Sequence, residues 1–471
     1  METQNITISL HWMDYGLIAL YIVLLIVIGF RFSRSKLQDT EDYLLASRTL
    51  TLPGFIATLV TTWYGGILGV GEFAYQYGLS SWIVLGVPYY IFAALFALVM
   101  AKKVRESNLY TIPDRLYEHY DRKTGLIGAL FTFIVVSPAP YILMLAILIN
   151  LLFGWSLLVS ILAGTLFSMV YVYLGGFRSV VRTDYLQFGL MFGGFILIVI
   201  MAVSNYGGLG FLSRHLPEKH LTWHGGNSVQ YILVWFFIAI WTLIDPGFHQ
   251  RCYGARSGKV AQKGILLSIL FWAVFDFLTT TTGLYAKAIL TDIPALMSYP
   301  LLAEELLPPV LKGLFYAGLI AVIMSTVDSF SFLSAVTIGR DFLWRLAGAQ
   351  SERTTDFYTQ IGLVITGIIS IILVVAIPSV VDLWYTIGTL FIPALLFPLV
   401  STYLSRRRIP SSVAFSICLF GFLTALGWYL AGLGNMSDGS PAYPLGIEPF
   451  YPGILVGGML YGWGWLQGAE D

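Results

Sequence analysis

From Gly125 to Phe177 the chain runs for 53 residues without a single Asp, Glu, Lys or Arg. The hydrocarbon core of a bilayer takes about 20 helical residues. This stretch therefore holds two crossings, with a short turn at Gly154. The composition agrees, since 57% of residues are hydrophobic and 11% charged, with a mean hydropathy of +0.78. Soluble domains carry about 25% charged residues. The net charge of zero gives no sign of a nucleic-acid partner. Two isolated cysteines, Cys252 and Cys418, make neither a disulfide framework nor a thiolate metal site. The opening METQNITISLHWMDYG lacks the basic region and cleavage site of a signal peptide, so the first helix is expected to remain as an anchor.

Apolar windows bounded by charges, Gly/Pro or polar loops predict about thirteen spans, within 14–32, 53–78, 82–101, 126–150, 155–174, 184–205, 229–249, 262–286, 313–339, 358–377, 381–404, 412–433 and 451–467. The expected fold class is an all-α polytopic membrane protein. Alternate loops divide the 26 Lys and Arg unevenly. One set, at 31–48, 102–123, 178–182, 251–263, 340–353 and 406–408, holds 22, and the other holds Arg214, Lys219, Lys287 and Lys312. The positive-inside rule puts the first set in the cytoplasm, with the N-terminus outside and the C-terminus inside. The longest polar connections are too short to bury a core of their own, so residues 1–471 are expected to form one membrane domain.

Two spans are punctuated where a helix should be continuous. The second holds TTWYGGILGVG (61–71), and the seventh ends in TLIDPGF (242–248). They lie five spans apart, as expected if residues 53–205 and 229–404 form five-plus-five inverted repeats whose first helices are broken near the midplane.

The ninth span contains VIMSTVDSFSF (322–332). At about 1.5 Å per residue, Ser325 lies about 20 Å from Lys312 and about 22 Å from Arg340, near the bilayer centre. Val322, Ser325, Thr326 and Ser329 share one helical face, with Asp328 one step round. An unpaired carboxylate there is costly, and hydroxyl oxygens are hard ligands, so one reading is a site for a small alkali cation. The other is hydrogen-bond glue between helices, worth about 0.6 kcal/mol per pair. The break at Gly65 and Gly66 favours the ion, because unwinding frees carbonyls there, with Thr61 and Tyr64 the candidates.

GGFRSVVRTDYLQFGLMF (175–192) joins spans five and six. Its glycines are expected to close one helix, and Thr183 and Asp184 to cap the next. Gly175, Gly176, Val180, Thr183, Asp184 and Gln187 fill a G-G-x-x-x-V-x-x-T-D-x-x-Q pattern that is similar to a signature of the sodium:solute symporter family. TTWYGG resembles the family's A-T-W-x-G-G break, FHQR (248–251) its Q-R element, and IMSTVDS its M-S-S/T-x-D-S helix. The resemblance covers nearly the whole chain, in order. It implies a leucine-transporter-like inverted-repeat fold and sodium-driven uptake at the plasma (inner) membrane. It also implies a first sodium site from carbonyls of Thr61, Tyr64 and Val322 with hydroxyls of Ser325 and Thr326. A second site, present in some members, would use Ser325, Asp328, Ser329 and Asp184. Choline-transporting members have a Trp where this chain has Asp245, which argues against choline.

The solute is expected between the two broken helices, walled by Trp63, Tyr64, Tyr89, Tyr90, Tyr141, Trp241, Asp245 and Phe248. With 15% of the chain aromatic, packing alone accounts for many such rings. The expected function is sodium-coupled symport of a small organic solute by alternating access, with sodium as coupling ion and the lipid bilayer as surroundings. A cation channel or a proton-coupled transporter of the same fold is the alternative. An enzyme is not expected: the six histidines have no metal-site spacing, and no phosphate loop or nucleophile elbow appears.

Overall fold

The computed structural model describes residues 8–33, 40–348, 352–437 and 440–470. The first seven residues of the opening stretch, and Arg34 and Lys36 of the basic loops, lie outside these. The described residues are overwhelmingly helical, as a chain in lipid must be to pair its backbone groups internally. The main helices are α1 (Trp12–Ser33), α2 (Leu52–Trp63), α3 (Ile67–Tyr77), α4 (Val87–Val99), α5 (Arg122–Val135), α6 (Ala139–Phe153), α7 (Leu157–Tyr206), α8 (Val229–Ile238), α9 (Pro246–Gly254), α10 (Gly258–Ile289), α11 (Leu311–Val336), α12 (Glu352–Ala376), α13 (Val380–Leu404), α14 (Ser411–Leu433) and α15 (Phe450–Gln467).

Among the described residues, eleven stretches are long and apolar enough to cross a membrane. Two expected spans fall outside that group. The 155–174 span is the first part of α7, where the apolar run Leu157–Met169 is short. The 451–467 span is α15, whose glycines, tyrosines and tryptophans dilute its hydropathy.

Local chemistry sets the helix ends. Asp121 caps α5 by accepting from Thr124 N at 2.8 Å, Ser228 caps α8 from Tyr231 N at 3.2 Å, and Ser257 caps α10 from Val260 N at 3.3 Å. Gly154 closes α6 in the left-handed region (φ 68°), as the turn required. One expectation fails at the next junction. Thr183 and Asp184 do not cap a helix, because α7 turns its corner seven residues before Thr183, at Gly176 (φ 54°, ψ −161°). A Cβ there would lie 2.6 Å from the Tyr43 carbonyl oxygen, so only glycine fits. The corner leaves Thr183 and Asp184 inside the helix, facing inward and buried.

Both expected breaks are present. α2 ends at Trp63, a 3₁₀ turn covers Tyr64–Gly66, and α3 follows from Ile67. α8 ends at Ile238, a 3₁₀ turn covers Ala239–Leu243, and α9 starts at Pro246, whose missing N–H suits a first helical position. α11 lies at the centre, every residue from Val322 to Val336 being buried. It packs on α7, α1, α2 and α6.

Candidate functional site

The sites form where the α2/α3 break meets α11. At Gly65 a Cβ would fall 2.0 Å from Thr326 Oγ1, so glycine is what lets the broken backbone reach the hydroxyl face. Thr326 Oγ1 donates to the Thr62 carbonyl oxygen at 2.6 Å. Ser325 Oγ donates to Asp184 Oδ1 of α7 at 2.6 Å and lies 3.5 Å from Thr62 Oγ1. The structure thus brings Thr62, Ser325, Thr326 and Asp184 together under the break, whereas Tyr64, on the 3₁₀ turn itself, sends its hydroxyl away to Asp276 and the Trp272 carbonyl. Val322 is fully buried one helical turn before Thr326. The Thr61 hydroxyl turns back onto its own helix, donating to Ala57 O at 2.9 Å. The neighbouring Thr62, which sequence reasoning missed, supplies both a hydroxyl and the carbonyl that meets α11. Its only signal was its place in the TTW run.

The four residues expected at a second cation site are not gathered alike. Asp184 reaches Ser325, but Asp328 points elsewhere, its Oδ1 accepting from Ser168 Oγ of α7 at 2.9 Å. Ser329 Oγ lies 3.1 Å from Thr62 Oγ1 and accepts from Arg251 Nη2 at 2.9 Å. The same nitrogen donates to Thr62 Oγ1 at 2.8 Å and Thr58 Oγ1 at 3.1 Å. Arg251, counted above with the cytoplasmic charges, is instead wholly buried in α9. Loop counting assigns a charge by its sequence neighbours, whereas this side chain follows the half-helix inward. The oxygen-rich donor set suits a hard monovalent cation, and Asp184 Oδ2 and Asp328 Oδ2 are buried with no hydrogen-bond partner among the described residues.

On the far side of the break lies a cavity of about 130 Å³. Of the eight residues expected to wall the solute, Trp63, Tyr64, Tyr89, Tyr141, Trp241, Asp245 and Phe248 line it. Tyr90 is not among its lining residues. It instead donates to Asp276 and accepts from Trp82 Nε1 at 2.9 Å. Trp63 stands at the end of α2, with ring centroids 5.0 Å from Tyr89, 5.5 Å from Phe248 and 5.4 Å from Trp272. Asp245 caps α9, accepting from Phe248 N at 2.9 Å and from Trp241 Nε1 at 3.2 Å. Further lining residues the sequence did not single out include Thr62, Arg251, Asp276, Phe330 and Trp384. Trp384 of α13 lies over the break, since a Cβ on Gly66 would be 2.3 Å from its ring. Among the described residues no group of three His, Cys, Asp or Glu could hold a transition metal.

Comparison with known proteins agrees with this architecture. The model of the sodium:solute symporter family matches residues 43–421. The chain is 27% identical to the sodium/glucose cotransporter of Vibrio parahaemolyticus, over 69% of this chain and 68% of that one. It is 26% identical to the sodium/pantothenate symporter of Haemophilus influenzae, over 73% and 74%. The fold is similar to that of a substrate-bound, outward-open Na⁺-coupled sialic acid symporter, with a TM-score of 0.78 and 16% identity over 98% of this chain and 100% of that one. A manganese transporter of Eremococcus coleocola shares it at a TM-score of 0.57 and 14% identity, over 88% and 94%. With the broken helices, the hydroxyl-lined α11 and a family match over most of its length, the chain belongs to the sodium:solute symporter family, and it is a sodium-coupled symporter rather than an enzyme.

Proposed function

We propose that sodium binds between the α2/α3 break and α11, coordinated by carbonyls of Thr61, Tyr64 and Val322 and hydroxyls of Ser325 and Thr326, and that it couples import of a small organic solute held in the adjacent cavity. The observation that carries this is the Thr326 hydroxyl 2.6 Å from the Thr62 carbonyl. Hard oxygens from two elements converge where a helix is interrupted. A cation there ties the break to α11, and the break also carries Trp63 and Tyr64 into the cavity. Cation binding and pocket shape are coupled through three residues of backbone. Asp184, hydrogen-bonded to Ser325, is the natural acidic neighbour of this ion. Asp328 and Ser329 complete a second site only after Asp328 leaves Ser168 and Arg251 leaves Ser329.

Residues 53–205 and 229–404 act as the two inverted repeats of a thirteen-span bundle in a cell membrane, with the N-terminus outside and the C-terminus inside. Alternating access is motion of one repeat against the other around the two breaks. One charge moving down about 100 mV supplies about 2.3 kcal/mol, and a tenfold sodium gradient adds about 1.4 kcal/mol. One sodium per cycle then supports several-hundred-fold accumulation. The curated relatives are named for glucose and pantothenate, so family membership leaves the solute open.

The test is a screen of sugars, amino acids, amines, carboxylates and vitamins for sodium-dependent thermal stabilisation of the purified protein, followed by uptake of a stabilising solute into proteoliposomes. Uptake should follow an inward sodium gradient. Uptake that follows a proton gradient and ignores sodium refutes the assignment, and flux with no turnover limit supports a channel instead.

A further inference from the structure

Asp276 lies mid-way along α10, in the apolar run FWAVFDF, and it lines the cavity while only 7% exposed. An ionised carboxylate at that depth is expensive unless matched, and such a residue marks a substrate or ion path by default. Its surroundings match it only in part. Oδ1 accepts from Tyr64 OH at 2.8 Å and Oδ2 accepts from Tyr90 OH. Tyr64 has one proton, and its oxygen also lies 3.0 Å from the Trp272 carbonyl. A carboxylate offers about four acceptor sites, so two phenols leave about two unused beside the cavity. Among the described residues no Lys, Arg or His forms an ion pair with Asp276. Space for it is provided by Gly86, where a Cβ would lie 2.9 Å from Oδ2.

The other charged groups on the cavity are already engaged. Asp245 faces the N-terminus of α9, whose amides and dipole offset its charge. Arg251 donates to Gln250 Oε1 at 3.2 Å and to the hydroxyls of Thr58, Thr62 and Ser329, not to Asp276. Arg251 keeps its positive charge, with only neutral acceptors bonded to it, and offsets Asp245 on the same lining, which leaves Asp276 as the cavity carboxylate with no cationic counterpart among the described residues. The same cavity is lined by the rings of Trp63, Tyr89, Tyr141, Trp241 and Trp384, and electron-rich ring faces attract organic cations.

We propose that Asp276 is the counter-charge for a cationic nitrogen on the transported solute, so that this symporter carries small organic amines. This rests on the cavity being the solute site. The N–H groups of an ammonium supply the donors that the two phenols leave wanting at the carboxylate, and its charge removes the cost of burying Asp276. Anionic solutes are disfavoured by the same field. Asp276 is thus a specificity residue, separate from the sodium ligands on α11.

The test uses the full chain in nanodiscs with sodium, and pairs each amine with a hydroxyl isostere: tyramine with 2-(4-hydroxyphenyl)ethanol, putrescine with 1,4-butanediol, ethanolamine with ethylene glycol. Thermal stabilisation is titrated for the wild type, Asp276→Asn and Trp241→Ala. The expected result is at least one amine that stabilises the wild type, an isostere at least tenfold weaker, and a matching loss for the amine in Asp276→Asn. Equal binding of amine and isostere, no binding by any amine, or amine affinity within twofold in Asp276→Asn overturns the proposal. The amine and isostere comparison on the wild type decides the matter even if Asp276→Asn fails to fold. A probe of any charge whose binding is lost in Trp241→Ala and kept in Asp276→Asn overturns the charge assignment while leaving the cavity as the solute site. Binding insensitive to both variants refutes the cavity itself.

Discussion

A single methyl group at Gly65 should disable the cation site. In Gly65→Ala the new Cβ would lie 2.0 Å from Thr326 Oγ1, 2.2 Å from its Cβ and 2.8 Å from its Cγ2. Carbon atoms pack at about 3.5–4.0 Å, so the 3₁₀ turn and α11 must part by more than 1 Å. The Thr326 hydroxyl then moves from 2.6 Å to beyond hydrogen-bond range of the Thr62 carbonyl. Overpacking of this kind costs about 1–3 kcal/mol of stability. The effect on sodium should be larger than the effect on folding, because the displaced atoms are the proposed ligands and alkali-ion sites depend on the placing of several oxygens at once. The assay is the sodium concentration dependence of thermal stabilisation, against potassium as control. The half-saturating sodium concentration should rise at least tenfold, equivalent to about 1.4 kcal/mol or more. A folded variant with its sodium dependence shifted less than twofold would refute the close approach of Gly65 to Thr326 as the basis of the site.

Two other perturbations separate the remaining parts. Asp245→Asn should keep the α9 cap, since Asn and Asp cap equally well, but it removes the acceptor for Trp241 Nε1; the expected outcome is solute affinity weakened by about two- to tenfold with sodium dependence intact, and unchanged affinity and transport remove Asp245 from the working pocket. The helix Ile112–His119 carries Asp114, which bonds Arg340 at 2.9 Å and also pairs with Arg345. Burial pushes its carboxyl up, but those two guanidinium groups outweigh burial and hold it below the ordinary carboxylate range. A depressed value stabilises the fold above the unfolded pKa, about 3.9, and that contribution is lost as pH falls through the folded value. The wild type should therefore lose melting temperature on acidification below about pH 4, and Asp114→Asn should be less stable at pH 7 and show a flatter acid limb; an unchanged limb contradicts the pairing.

The features legible in the sequence were those with their own punctuation. Gly65 and Gly66, and Asp245 with Pro246, announce helix breaks because their backbone chemistry is local, and Ser325 and Thr326 announce a polar face because helical periodicity is local. Side-chain direction was less legible. Asp328 sits beside the expected cation face yet turns to Ser168, and Tyr90 leaves the cavity lining for Asp276, since both are decided by partners far along the chain. Arg251 heads a loop-like run of charges in sequence, yet its depth is set by how α9 packs, not by its neighbours. Asp276 is a different kind of miss. A lone carboxylate inside FWAVFDFLTTTTG was a signal in plain view, but it belonged to no motif and had no partner nearby in sequence.

²²Na⁺ binding to the purified protein tests most directly whether the α2/α3 break and α11 build a sodium site. The wild type should bind the ion saturably, with potassium a poor competitor. Ser325→Ala with Thr326→Ala should abolish binding while the protein remains folded. Undiminished ²²Na⁺ binding by the folded double variant would contradict a sodium site at these hydroxyls, and a variant that merely unfolds more easily while still binding sodium would assign them to helix packing instead.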